Sequence, residues 1–157
     1  MNKTRVRGVI PQEDGIIMMK RVKEVDGKPK EYYVFPGGGV EGNESIEQAI
    51  KREIEEEIGI QIKVIGQKYI DVFNGDINFY LLCEPIEGEI GTGQGPEFTS
   101  EDYKDRGIYM PVVMSRQEFE EKNIRPEQIK EKILNEIEQE SNFKSLTLKR
   151  REERERE

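Results

Sequence analysis

Between Ser45 and Gly59 the chain spells a helix with both ends marked. Ser45 with Gln48 three residues on is a capping box, and Gly59 is a helix stop signal. Successive helical residues turn by about 100°. With Ile46 at zero, Ile50, Ile54 and Ile58 therefore fall at about 40°, 80° and 120°, and Ala49 at about −60°. That arc is a face that must be buried. On the same wheel Glu53 falls at about −20°, Glu57 at about 20° and Glu56 at about −80°. Acids thus lie inside or beside the apolar arc, whereas Glu55, at about 180°, points where a charge is expected.

Three carboxylates spaced i, i+3, i+4 meet on one side of a helix. Unaided, they repel one another, and partial burial raises their proton affinity. Arg52 is one available counter-charge, but a single guanidinium does not easily satisfy three acids. A hard divalent cation does: Mg²⁺ or Mn²⁺ takes oxygen ligands and often brings substrate phosphates with it. The alternative is an ordinary solvated run of glutamates, the commoner fate of such a segment. Glu57 counts against it, being on the wrong side for solvent decoration.

Composition narrows the chemistry. The chain has 157 residues, enough for one domain with a core of its own. It has no histidine, which removes His-assisted nucleophiles, His-built zinc sites and His general bases. Its net charge of −8 argues against a general nucleic-acid coat, and no specific nucleic-acid partner is expected. Cys83 is the sole cysteine, so no intrachain disulfide forms, and a reducing, cytoplasmic setting is expected. No stretch reaches membrane-spanning length. Met1–Arg5 lacks the apolar segment of a secretory signal.

Along the chain, residues 5–10, Ile16–Val22 and Glu31–Phe35 read as strands, with turns at Glu13-Asp14-Gly15 and Asp26-Gly27-Lys28-Pro29, the latter polar and mobile. Gln61–Phe73 and Ile77–Cys83 read as a hairpin about Asn74-Gly75-Asp76. Glu87–Asp105 is a Gly-rich loop of the length that usually serves function. A strand follows at Ile108–Val113, then a short helix capped by Ser115 and Glu118. Pro126 opens a last helix with Ile129, Ile133, Leu134 and Ile137 on one face, a stripe that serves either the core or a homodimer surface. Residues 1–146 make one domain of α/β or α+β type. Residues 147–157, charged almost throughout, make a disordered or frayed tail.

The segment Gly38, Glu44, Arg52-Glu53-Ile54, Glu56-Glu57, Gly59-Ile60 resembles the Nudix box of the Nudix hydrolases at every specified position. The preceding Tyr33-Val34-Phe35-Pro36-Gly37 also resembles the family, which often has Trp where Tyr33 stands. The resemblance implies an α/β/α sandwich, a mixed β-sheet between helices, with the box as loop–helix–loop. It implies hydrolysis of a nucleoside diphosphate linked to another moiety. Glu53, Glu56 and Glu57 then become the metal ligands, aided by a backbone carbonyl near Gly37 or Gly38, with Mg²⁺ or Mn²⁺ as cofactor. Glu44 and Arg52 become the residues that tie loop to helix, and Gly38 and Gly59 structural positions. The general base lies either in the box, at Glu56 or Glu57, or on the later loop, at Glu97, Glu101 or Asp102; of the loop acids Glu101 is preferred by position.

Substrate contacts are less legible. Arg5, Arg7, Lys20 and Arg21 are candidates to neutralise phosphates, against surface charge as the plainer reading. Tyr33 and Phe35, with Phe73, Phe79 and Tyr80, are candidates to stack a base, against a place in the core. Size and resemblance favour a nucleoside triphosphate or damaged nucleotide as substrate. An NDP-sugar or dinucleotide is the rival substrate, and a non-catalytic nucleotide sensor the rival class.

Overall fold

The computed structural model describes residues 3–93, 108–137 and 143–146. Glu97, Glu101 and Asp102 of the Gly-rich loop and the tail at 147–157 lie outside the described residues.

Nine strands and three helices follow in chain order among the described residues. They are β1 (Thr4–Val9), β2 (Pro11–Gln12), β3 (Gly15–Val25), β4 (Lys28–Val34), β5 (Gly37–Gly39), α1 (Ile46–Ile58), β6 (Ile60–Phe73) and β7 (Asp76–Gly88). Then come β8 (Ile108–Ser115), α2 (Arg116–Glu121), β9 (Ile124–Arg125), α3 (Glu127–Ile137) and a 3₁₀ turn at Phe143–Ser145. The strands form two sheets. One has the order β5-β1-β7-β6, with β1 and β7 parallel. The other is built on β3, which pairs β8 along one edge and β2 and β4 along the other; β4 continues to β9 in parallel. The expected α/β class, mixed sheet between helices, is met, with the strands divided between two sheets rather than gathered in one.

Period-two alternation places successive residues of β3 in two different cores. Ile17 and Met19 join Val6, Leu81 and Cys83 beneath α1, which contributes Ala49, Ile50, Ile54 and Ile58. Ile16 and Met18 join Phe35, Tyr80, Phe119 and the α3 residues Ile129, Ile133 and Ile137 on the other side. Strands buried on both faces explain how a chain with only 34% apolar residues encloses two cores. Each buried isoleucine of α1 contributes about 1.5–3 kcal/mol. The stripe on α3 is core. Among the described residues no helix is long and apolar enough to cross a membrane.

Local signals fix most boundaries. Ser45 and Ser115 both form complete capping boxes, and Gly59 closes α1 in the left-handed region at φ 90°. Asn74 and Gly75, at φ 51° and 83°, make the expected turn, but it is two residues long: Asp76 pairs with Phe73 and already belongs to β7. The turn after β3 differs from expectation: it is only Asp26 and Gly27, with Val25 paired to Lys28, so Lys28 and Pro29 belong to β4. Its positive φ values of 53° and 75° match the twist of the flanking strands, and the hairpin stays tight. Short β5 and β9 escaped the sequence reading because each exists only through pairing with a distant partner.

Candidate active site

The site begins where β4 passes into Phe35-Pro36-Gly37. The Pro36 carbonyl accepts from the Gly8 N–H at 2.7 Å, and β5 then pairs antiparallel with β1, Arg7 opposite Gly37 and Val6 opposite Gly38. This pins two glycines against α1. Gly37 has φ 146°, and a Cβ there would lie 1.9 Å from the Val6 carbonyl oxygen. At Gly38 a Cβ would meet not backbone but the Glu53 carboxylate, at 2.6–2.8 Å. The Gly37 N–H donates to Glu57 Oε2 at 3.3 Å. Glu53 and Glu57, one helical turn apart, thus bring their carboxylates to the same stretch of backbone.

Arg52 organises the other side. Its Nε and Nη2 donate to the two carboxylate oxygens of Glu44 at 2.6 and 2.9 Å, a two-pronged grip that ties the loop before α1 to the helix. Nη2 also reaches the Gly39 carbonyl at 3.1 Å, while Nη1 donates to Glu53 at 3.0 Å and Glu56 at 3.4 Å. Glu44 in turn accepts from the Glu41 N–H at 2.9 Å. Glu53 is 14% exposed and Glu56 51%. The acids are therefore not equivalent: Glu53 and Glu57 form the inner pair, and Glu56 stands at the rim. Among the described residues no three acidic, histidine or cysteine side chains converge closely enough to enclose an ion by themselves.

Burial, then the facing charge of Glu53, push the Glu57 carboxyl up to about 8. Hydrogen bonds from Arg52 and the Glu41 N–H hold Glu44 down at about 2. The two have opposite effects on stability. Glu57 binds its proton more tightly folded than unfolded, so its contribution is full below its ordinary 4.5 and is lost as pH rises through about 8. The Glu44 contribution is present above 4.5 and is lost as pH falls toward about 2. Metal-free protein should therefore lose Tm as pH rises from about 5 to 8, and Mg²⁺ or Mn²⁺ should restore most at the upper end, since a cation favours the ionised pair. A Tm that is flat across that window, with and without the ion, contradicts the crowding of Glu57 against Glu53.

The donor chemistry fits a hard cation. Carboxylate oxygens and a backbone carbonyl are what Mg²⁺ and Mn²⁺ prefer, and repulsion between Glu53 and Glu57 is what such an ion relieves. The space occupied by the Glu53 carboxylate exists because Gly38 carries no Cβ.

The structure sorts the other sequence candidates. Arg7 joins the site, donating to the carbonyls of Phe35 at 3.2 Å and Gly37 at 3.4 Å. Arg5 is instead paired with Asp76 at 3.3 Å. Lys20, 3.9 Å from Glu31, lies on the opposite face of β3 from Ile17 and Met19, away from α1. Tyr33 donates to Glu31 and is 6% exposed; Phe35 is 1% exposed, edge-on to Tyr80 and Phe119. Both are core, and the stacking role expected of them is corrected: their faces are already covered. Tyr109, which the sequence reading did not single out, lies beside Glu57. Burial, with Glu57 next to it, holds its phenol protonated. Only the register of β8 on β3 reveals it.

A family model described as the NUDIX domain matches residues 1–132. The chain belongs to the NUDIX family. The α1 segment is thus the Nudix helix, and the expectation of a Nudix hydrolase is met in family and fold. A MutT structure from Aliivibrio salmonicida and Vibrio cholerae work is 25% identical, at a TM-score of 0.59, covering 82% of this chain and 90% of that one. A NUDIX hydrolase from Nitrosomonas europaea is 21% identical, at a TM-score of 0.62, covering 90% and 92%. Protein 080R of Invertebrate iridescent virus 3, a hydrolase by name, is 39% identical over 57 residues, or 36% of this chain. The match spans only 24% of that viral protein.

Proposed function

We propose that this protein hydrolyses the pyrophosphate bond of a nucleoside diphosphate linked to another group, with a nucleoside triphosphate or damaged nucleotide as substrate and Mg²⁺ or Mn²⁺ as cofactor. The observation that carries the reading is the convergence of Glu53 and Glu57 on the Gly37–Gly38 backbone. A complete set of box acids also favours turnover over mere sensing.

In this reading Glu53 and Glu57 would hold the ion, with Glu56 and a carbonyl of the glycine strap as further ligands. The cofactor's contribution, when bound, is to neutralise diphosphate oxygens and make a water more acidic. Arg52 fixes the rotamers of Glu53 and Glu56, so the acids are aimed before substrate arrives. Arg7 braces the glycine strap from the β1 side. A carboxylate must take the water's proton, and the candidates are Glu56 and Glu57 in the box and Glu97, Glu101 and Asp102 on the later loop, of which Glu101 is preferred by position.

The test is a panel of nucleoside triphosphates, oxidised nucleotides, nucleotide sugars and dinucleotides with Mg²⁺ and Mn²⁺. Release of nucleoside monophosphate and pyrophosphate from a triphosphate is the expected outcome. Tight binding without any product across the panel would instead mark a sensor.

A further inference from the structure

We propose that Glu89–Gly93 is a clamp on the last turn of the Nudix helix, with Thr92 and Gly93 as positioning residues for the acids Glu56 and Glu57. The inference rests on the hydrolase reading above and concerns how that site is kept aimed.

The last turn of α1 is the part of the helix least able to hold itself. It carries Glu55, Glu56 and Glu57 and no basic residue. Negative charge at a C-terminal end opposes the helix dipole, and the last four carbonyls lack partners within the helix. The turn that presents two of the box acids is therefore the one that frays first. Arg52 acts from a turn earlier and on side chains, so it leaves those carbonyls unmet.

After β7 the chain returns to this end of the helix and meets them. The Gly91 N–H donates to the Ile58 carbonyl at 2.8 Å. The Thr92 hydroxyl donates to the Glu89 carbonyl at 2.7 Å and lies 3.3 Å from that of Gly59. The Thr92 N–H also donates to the Glu89 carbonyl, at 3.3 Å, which closes the clamp into a turn. Its contact with the helix is backbone against backbone. A Cβ on Gly93 would lie 2.5 Å from the Glu56 carbonyl oxygen, 2.7 Å from the Glu57 carbonyl carbon and 2.8 Å from the Ile58 nitrogen. A Cβ on Gly59 would meet Thr92 Oγ1 at 2.2 Å and the Gly93 nitrogen at 2.6 Å. Two glycines thus face each other across the seam, and one of them is the closing glycine of the box. Packing this close leaves no slack. Any shift of the clamp moves the peptide units from which Glu56 and Glu57 project.

The test compares G93A, T92V and T92S with wild type by Mn²⁺ titration of the substrate-free protein, amide hydrogen exchange and steady-state rates. In G93A the added methyl group must lift the clamp. Amides of residues 56–59 should then exchange about 10-fold or more faster while those of the buried middle of α1 keep their protection, and Mn²⁺ affinity should fall about 10-fold. At limiting Mn²⁺ kcat should fall by about the same factor and recover in part at saturating Mn²⁺, with KM for the nucleotide nearly unchanged. T92V should show the same changes more weakly, and T92S, which restores the hydroxyl, should match wild type. That pair carries the test if G93A does not fold. A clamp that only supports the fold would lower Tm and leave Mn²⁺ affinity as it was, and that result overturns the proposal. So does unchanged exchange at the helix end. Weaker Mn²⁺ binding in G93A, with no hydrolysis of any nucleotide by wild type, leaves the clamp standing and sinks the hydrolase reading; hydrolysis by wild type that G93A does not alter does the reverse.

Discussion

Glu57→Gln should cut turnover by about a hundredfold or more while making the metal-free protein no less stable. The two halves of that result come from one geometry. Glu57 sits between Glu53 and the Gly37 N–H in a largely buried position, and its proton affinity is raised by that burial and by Glu53. Gln retains the shape and the acceptor for the Gly37 N–H but lacks the charge that a cation needs. Without metal, that charge is a liability near pH 8, so the variant should match or exceed the wild-type Tm there and lose the decline between about pH 5 and 8. Thermal melts against pH, beside initial rates with Mg²⁺ and Mn²⁺, measure both. Normal rates in the variant would remove Glu57 from the ligand set.

Gly38→Ala should be nearly as damaging to rate and almost silent in stability, whereas Gly37→Ala should fail to fold. The difference lies in what a methyl group meets. At Gly37 it lands on the Val6 carbonyl, at a φ of 146° that side chains rarely adopt. Gly38 does not share that positive φ, and its nearest neighbours are the terminal atoms of Glu53. A flexible carboxylate can swing away cheaply, but it then leaves Arg52 Nη1 and its place beside Glu57. The expected Gly38→Ala result is a rate loss of about 10–100-fold, as for misdirection of a ligand, with stability within about 1 kcal/mol of wild type. A variant with normal rates would show that the Glu53 carboxylate does not need that space.

What could be read from the sequence was local. The Nudix helix announces itself through Ser45, Gln48, Gly59 and the apolar arc, since caps and the helical period act over a few residues. The inner position of Glu57 follows from the same period. Asn74-Gly75 likewise writes its own hairpin. What escaped depends on register between distant strands. Nothing near Tyr109 in sequence says that it will lie across from Arg21, and nothing near Arg125 says that it will face Tyr32. The choice between stacking and core depends on register too: Phe35 stands beside a glycine run, yet the fold closes Phe119 and Tyr80 over it.

The acids and a row of arginines set against tyrosine rings on the second sheet have separate structural supports. Glu53, Glu56 and Glu57 ride on one capped helix braced by Arg52, while Arg21, Tyr32, Tyr109 and Arg125 are spread over four strands. Mutations in that row leave the helix's internal bracing untouched, and the two adjoin where Tyr109 lies beside Glu57. Substitutions can therefore accumulate at those sheet positions while the cap and the Arg52 bracing that aim the acids stay in place.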